Sequence, residues 1–165
     1  TAASVDGVDI ARDPTDGRIG FAYTTFDNIT SRLFYAKFDG FQIQTTQIPG
    51  LQPGRYEDVS LAYDPVDGKP AIAYERRNGG VGELWMAYQN PASQWLQSTV
   101  ASPIMIDGPA RRPSLSFDDY GTSWPAIAYV NSDGALAVAF DPPVPEPAAI
   151  GVLITTAVIL RRRRV

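Results

Sequence analysis

Two short arginine segments hold the residue types in this chain best suited to gripping a ligand. Gly54-Arg55-Tyr56-Glu57-Asp58 and Ala110-Arg111-Arg112-Pro113 each stand just before a strand-like run. Planar guanidinium groups that converge make a two-pronged clamp for a carboxylate or a phosphate. Pairing of the same arginines with neighbouring acids accounts for them without any ligand, and is the preferred reading. A second set is the acid pairs Asp13/Asp16, Asp64/Asp67 and Asp118/Asp119. Calcium wants about six to eight oxygens, so two carboxylates on one short turn fall short, and Asp and Gly are what such a turn needs anyway. Phe34, Phe41, Trp85, Trp95 and Trp124 would serve to stack on sugar rings, but most lie in or beside strand-like runs where a packed core claims them. With no His and no Cys, zinc fingers, His-dependent triads, ordinary transition-metal sites and disulfide staples are excluded. Neither a Gly-rich phosphate loop nor a nucleophile elbow is present. No cofactor, metal ligand or catalytic residue is assigned.

The elements that must position these residues come from an internal repeat. Val8 to Tyr23 aligns without gaps on Val59 to Tyr74 at a constant offset of 51 residues, and Ser114 to Tyr129 is a third, slightly longer version. Each is followed by Leu-x-x-Ala, at Leu33–Ala36, Leu84–Ala87 and Leu136–Ala139. In the middle copy, β-type alternation predicts strands at Asp58–Tyr63, Ala71–Glu75, Glu83–Gln89 and Trp95–Val100. The Asp-Pro-x-Asp-Gly turns join the first two strands, Pro fixing φ and Gly accepting the left-handed conformation. Four strands on a period of about 50 residues is the footprint of a β-propeller blade. The recurring Ala22, Ala73 and Ala128 suit inner strands crowded on both faces.

The repeat resembles a unit of many secreted bacterial propeller proteins, S-L-x-x-D-x-x-G-x-P-x-I-A-Y, then L-x-x-A, then an aromatic. Ser60, Leu61, Asp64, Gly68, Pro70, Ala73, Tyr74, Leu84, Ala87 and Trp95 stand at those places, while the first copy has Asp9 for the Ser and Ile19 for the Pro. The resemblance implies that the segment before each first strand approaches a central channel, so that Arg55, Tyr56, Glu57, Arg111 and Arg112 would form a possible ligand-binding group there. With Asp58, this inventory is weakly similar to the Arg, Tyr/Glu and Asp set of sialidases. Ser116 to Trp124 is similar to the sialidase Asp-box, with its spacing off by a residue. That box stabilises a turn, and glycosidase chemistry would need two carboxylates at a set separation. Three copies are too few for a closed propeller. Thr1–Ser4 resembles Thr99–Ser102, so the chain is expected to start inside a preceding copy. Either further copies lie upstream, the preferred arrangement, or Thr1–Val5 pairs with the third copy.

The last 22 residues form a different kind of segment. Pro145-Glu146-Pro147 precedes an apolar run from Ala148 to Leu160, and Arg161, Arg162, Arg163 and Arg164 follow it. As a helix the run reaches roughly 20 Å, short for a bilayer core of about 30 Å. Arginines that snorkel to the headgroups lengthen it and hold the C-terminus on the cytoplasmic side. The three parts in this order resemble the PEP-CTERM sorting signal of Gram-negative and planctomycete-type bacteria. The resemblance implies an exosortase partner that cuts near the Pro-Glu-Pro and an envelope or exopolysaccharide destination. Leaving out those four arginines, the rest has 10 basic against 18 acidic residues, a balance near −8 that argues against nucleic acid and anionic lipid. The chain begins at Thr1 without a secretory signal, so a mature form or a fragment is expected.

These readings combine into an all-β fold of β-propeller-like repeats, about three four-stranded blades with the last incomplete, plus a C-terminal hydrophobic helix. The repeat region is residues 1–143, with copies near 8–48, 59–100 and 114–140. The sorting tail is 144–165, with a transmembrane helix at 148–160. The expected function is a non-catalytic binding or structural module. It is exported, passing through an inner-membrane intermediate held in the bacterial membrane by the C-terminal helix, and polysaccharide is a possible partner. The alternative is a carbohydrate-active enzyme of sialidase or lyase type that lacks its N-terminal blades here.

Overall fold

A computed structural model describes residues 3–78, 81–104, 113–118, 124–131 and 133–140. The described chain is all-β. A first sheet holds β1 (Ser4–Arg12), β2 (Ile19–Phe26), β3 (Ser31–Phe38) and β4 (Ile43–Gln47). The second holds β5 (Arg55–Tyr63), β6 (Pro70–Asn78), β7 (Val81–Gln89) and β8 (Trp95–Ile104). The third holds β9 (Ser114–Phe117), β10 (Pro125–Val130) and β11 (Leu136–Phe140). Within each sheet the strands are antiparallel and follow chain order. Among the described residues there is no helix; the run 148–160, Pro145, Glu146, Pro147 and Arg161 to Arg164 lie outside them.

Turn chemistry sets these hairpins. Gly17 and Gly68 have φ of 72° and 68°, a region open to glycine at little cost. Their amides donate to the Asp13 and Asp64 carbonyls at 2.9 Å, and the Asp13 and Asp64 amides donate to Arg18 O and Lys69 O at 2.8 and 2.9 Å. The Asp side chains close the loop from inside: Asp13 Oδ1 accepts from Thr15 N at 2.8 Å and Asp64 Oδ1 from Val66 N at 2.7 Å.

Alternation along each strand then sends apolar side chains to the seams between sheets. The first seam joins Ala22, Leu33, Tyr35 and Ile48 to Leu61, Tyr63, Ile72 and Tyr74. The second joins Ala71, Ala73, Leu84 and Met86 of the second sheet to Leu115 and Ile127 of the third. Each fully buried Leu or Ile contributes about 1.5–3 kcal/mol. Covered on both faces, β6 is buried continuously from Pro70 to Arg76. Ala22 and Ala73 are buried, whereas Ala128 is only half-buried, because no described element covers the far face of the third sheet.

One polar contact repeats at the seams. Asp9 Oδ2 accepts the Leu61 amide at 2.7 Å, and Ser60 Oγ accepts the Leu115 amide at 3.0 Å. Asp9 and Ser60 are equivalent positions in successive copies, as are Leu61 and Leu115. A side-chain oxygen on each first strand thus satisfies an amide of the next first strand, which would otherwise be buried without an acceptor. In the third copy the equivalent Ser114 is exposed.

The strands run longer than alternation predicts. The first strand of the middle copy starts at Arg55 instead of Asp58. A bulge between Glu57 and Val59 lets pairing continue, with Asp58 at a φ of 42°. The bulge between Val5 and Gly7 does the same in β1. Ser4 and Val5 therefore pair with Phe26 and Thr25 of β2. This corrects the expectation that Ser4 and Val5 belong to a preceding or final copy; Thr1 and Ala2 lie outside the described residues.

Candidate functional site

Because β5 extends through the bulge, Arg55 and Glu57 lie on a paired strand, with Arg55 opposite Arg77 and Glu57 opposite Glu75. Their side chains form a ladder of alternating charge. Arg55 Nη2 meets Asp6 Oδ2 at 3.0 Å and Arg55 Nε meets Glu57 Oε1 at 2.9 Å. Arg77 Nε lies 2.9 Å from both Glu57 Oε2 and Glu75 Oε1. Arg55 also covers the Phe26 ring at 4.8 Å. Three carboxylates face two guanidinium groups, so the ladder as a whole does not attract an anion. Arg111 and Arg112, the other arginines expected here, lie outside the described residues.

Glu75 is the unusual member. Its side chain is 0% exposed, and burial pushes its carboxyl up to about 7 despite the opposing hydrogen bond and charge of Arg77. Near neutral pH this acid holds its proton about half the time. The sequence offered no signal for it, since it reads as the last residue of an ordinary strand. Next to it, Arg76 is tied down by Glu83 Oε2 at 2.7 Å and Pro53 O at 2.9 Å, and it lies 5.4 Å from the Trp85 ring centre.

Tyr56 does not join the ladder. Alternation turns it to the opposite face, where it is buried in the first seam. Its ring meets Tyr74 edge-on at 5.7 Å, its hydroxyl donates to Gln52 O, and its amide donates to Ser31 Oγ at 2.9 Å. Burial raises its phenol above the ordinary value. Tyr56 is a packing residue here.

The acid pairs behave differently in each copy. Asp13 and Asp16 hold the ammonium of Lys37 at 2.6 and 2.9 Å. Asp13 is 2% exposed; burial opposes its ionisation, but hydrogen bonds from Lys37 and Thr15 outweigh burial and keep its carboxyl below the ordinary value. Beneath them the Tyr35 and Tyr63 hydroxyls share a hydrogen bond of 2.8 Å, and Lys37 Nζ lies 5.8 Å from the Tyr63 ring centre. A protein cation already sits where calcium was considered. Asp118 caps its hairpin through a Trp124 amide contact of 3.4 Å, and Asp119 lies outside the described residues. Among the described residues, no group of three or more potential metal ligands comes together.

The aromatics divide as well. Trp85 and Trp95 pack against the first seam, Phe34 stacks on Tyr23 at 5.0 Å, and Trp124 is half-buried. Phe41, in the β3–β4 connection, is 97% exposed. Lys37, Tyr35, Tyr63 and Arg77 were not singled out in the sequence. The signal for Lys37 was present only as a difference between copies, Lys37 standing where the middle copy has Tyr88. No family model matches the chain, and no curated protein is similar enough to match it.

Proposed function

We propose that the chain is an exported, propeller-like module that binds or scaffolds rather than catalyses, and that it is sorted to the envelope or extracellular matrix through its C-terminal tail. The observation that carries the propeller-like part is the chemistry of the two outer faces. Val8 and Ile10 on the open face of the first sheet are the counterparts of Val59 and Leu61. Ile10 is 58% exposed where Leu61 is 5% exposed. Leu136 on the open face of the third sheet is 77% exposed where its counterpart Leu84 is 0% exposed. Each outer face thus repeats one side of a seam formed twice inside the molecule, the pattern expected of blades that continue around an axis.

The non-catalytic reading is supported by how the polar groups are used. Arg55, Arg76, Arg77, Asp9, Asp13 and Ser60 are all engaged in ion pairs, turns or contacts between sheets. Glu75 has the shifted acidity of a proton donor, but its complete burial keeps any sugar from reaching it. Support for export is the tail itself: Pro145-Glu146-Pro147, the apolar run and the four arginines in order. Exosortase is the handling partner in this proposal, and polysaccharide the medium that the module meets.

Fractionation of bacteria expressing the complete protein tests the reading. Recovery in envelope or medium fractions is expected, with a shift to a larger membrane-retained form when Pro145, Glu146 and Pro147 are replaced by Ala. Recovery of the protein as a soluble cytoplasmic species would overturn it.

A further inference from the structure

The chain carries both halves of its own seam, one on each outer face. In the first seam, Leu61, Ile72 and Tyr74 of the second sheet are buried with Ala22, Leu33 and Tyr35 of the first. In the second seam, Leu115 and Ile127 of the third sheet are buried with Ala73, Leu84 and Met86 of the second. Strand alternation gives the outward face of the first sheet the counterparts of Leu61, Ile72 and Tyr74, namely Ile10, Phe21 and Tyr23. It gives the outward face of the third sheet the counterparts of Ala73, Leu84 and Met86, namely Ala128, Leu136 and Val138. Ile10, Leu136 and Val138 are exposed. Arg12 is the one charged departure, standing where the second sheet has Tyr63, and its Nε donates back to Gly17 O at 3.1 Å. What one open face lacks is therefore what the other open face of the same chain presents.

The polar contact of the seams is left open at the same places. Ser114, the counterpart of the acceptors Asp9 and Ser60, is exposed. The Ile10 amide, the counterpart of the Leu61 and Leu115 amides, donates to Asp9 Oδ1 of its own strand at 2.8 Å, in a bond open to water. We propose that a second copy of this chain covers both outer faces, the third sheet of each copy seated on the first sheet of the other. Ser114 Oγ of each copy then accepts the other copy's Ile10 amide, as Ser60 accepts Leu115 within the chain. Both junctions are alike, so the pair closes on a two-fold axis and no outer face remains to recruit a third copy. The number of sheets agrees with closure. Three described sheets per chain make six in the pair, within the roughly four to eight blades of closed propellers, where one chain has too few and three have too many. This inference rests on the propeller-like reading of the outer faces and not on export, which fractionation tests separately.

The test is sedimentation equilibrium of the full chain over a series of concentrations, in a detergent matched to the solvent density so that only protein mass is weighed. The mass is expected to rise to twice that of one chain and to stop there. Ile10→Asp and Leu136→Lys each place a charge on one exposed position, and circular dichroism checks that both variants keep the fold. In the pair, either variant alone puts a charge into both junctions, and each is expected to weaken association at least about tenfold per junction. An equal mixture of the two variants gathers both charges, of opposite sign, in one junction and leaves the other native. The mixture is therefore expected to regain mass that neither variant shows alone. A chain that stays monomeric overturns the proposal, and so does a mass that grows past two copies. A dimer untouched by either substitution, which would point to association through residues 148–160, overturns it as well, as does a mixture no heavier than its components. Unfolding of Ser60→Ala separates the two ways of failing. If that variant is destabilised while the chain stays monomeric, the internal seams stand and the outer faces belong to a further part of a longer protein; if its stability is unchanged, the reading of the seams fails too.

Discussion

Replacing Glu75 by Gln is expected to change how stability depends on pH more than it changes stability at any one acidic pH. Glu75 is completely buried, and its carboxyl is raised from 4.5 to about 7. Between those values the folded protein holds a proton that the unfolded chain has released. Stability therefore falls as pH rises across that window, because the native state binds more protons. The full shift corresponds to about 3 kcal/mol at about 1.4 kcal/mol per unit. Gln imitates the protonated acid: it keeps an oxygen for Arg77 Nε, which donates to Glu75 Oε1 at 2.9 Å, and it cannot ionise. The measurement is urea unfolding followed by tryptophan fluorescence at several pH values from about 4 to 8, for both proteins. The variant minus wild-type difference is expected to be small at the acid end and to grow by about 3 kcal/mol toward pH 8. Taking the difference cancels every group common to the two proteins. A difference that stays flat across the window refutes the assignment of a raised acid to Glu75.

Further substitutions test the seams. A Cβ on Gly20 would lie 1.8 Å from the Tyr63 hydroxyl oxygen, so Gly20→Ala is expected to cost about 1–3 kcal/mol in thermal unfolding, part of it recovered by adding Tyr63→Phe. Ser60→Ala removes the acceptor of the buried Leu115 amide and is expected to cost about 1–3 kcal/mol, whereas Asp9→Ser keeps an acceptor and costs less. Asp13→Asn is expected to act in the opposite pH direction from Glu75→Gln. The lowered pKa of Asp13 contributes stability above its unfolded value of 3.8 that is lost as pH falls through its folded value, so the variant should lose stability at neutral pH and show a flatter acid limb.

The repeat was legible in the sequence because its signals are local. Asp-Pro-x-Asp-Gly marks the turn, and Leu-x-x-Ala marks the strand that faces a neighbour. What was not legible depends on contacts between copies. Asp9 looked like a departure from the repeat's Ser, yet both residues accept the same amide of the next sheet; only the shared acceptor oxygen matters there. Arg55 and Glu57 looked like a segment preceding a strand because Asp58 interrupts the alternation. A bulge absorbs that one residue and restores the register, which brings Glu57 opposite Glu75 and draws Arg77 between them. Lys37 follows the pattern of a solvated strand end, and it is the turn between β1 and β2 that places two aspartates against it.

Two differently built seams on one backbone also imply that their residues changed in sets. The first seam carries the Tyr35–Tyr63 hydroxyl pair, and the second has Met86 and Phe117 at those places. Exchanging one member alone is penalised: Tyr35→Met leaves the Tyr63 hydroxyl buried without its partner, and Tyr63→Phe does the same to Tyr35. Each single change forfeits one hydrogen bond and strands one hydroxyl, at about 1–3 kcal/mol. The double change removes both hydroxyls and reproduces the apolar pairing already present in the second seam, so it should cost less than the sum of the two. A double-mutant cycle read by urea unfolding is expected to show a coupling of about 1–2 kcal/mol, within the range for directly contacting residues. Additivity within about 0.5 kcal/mol would mean that the hydroxyl pair does not bind the two sheets together, and that the seams differ by drift at independent positions.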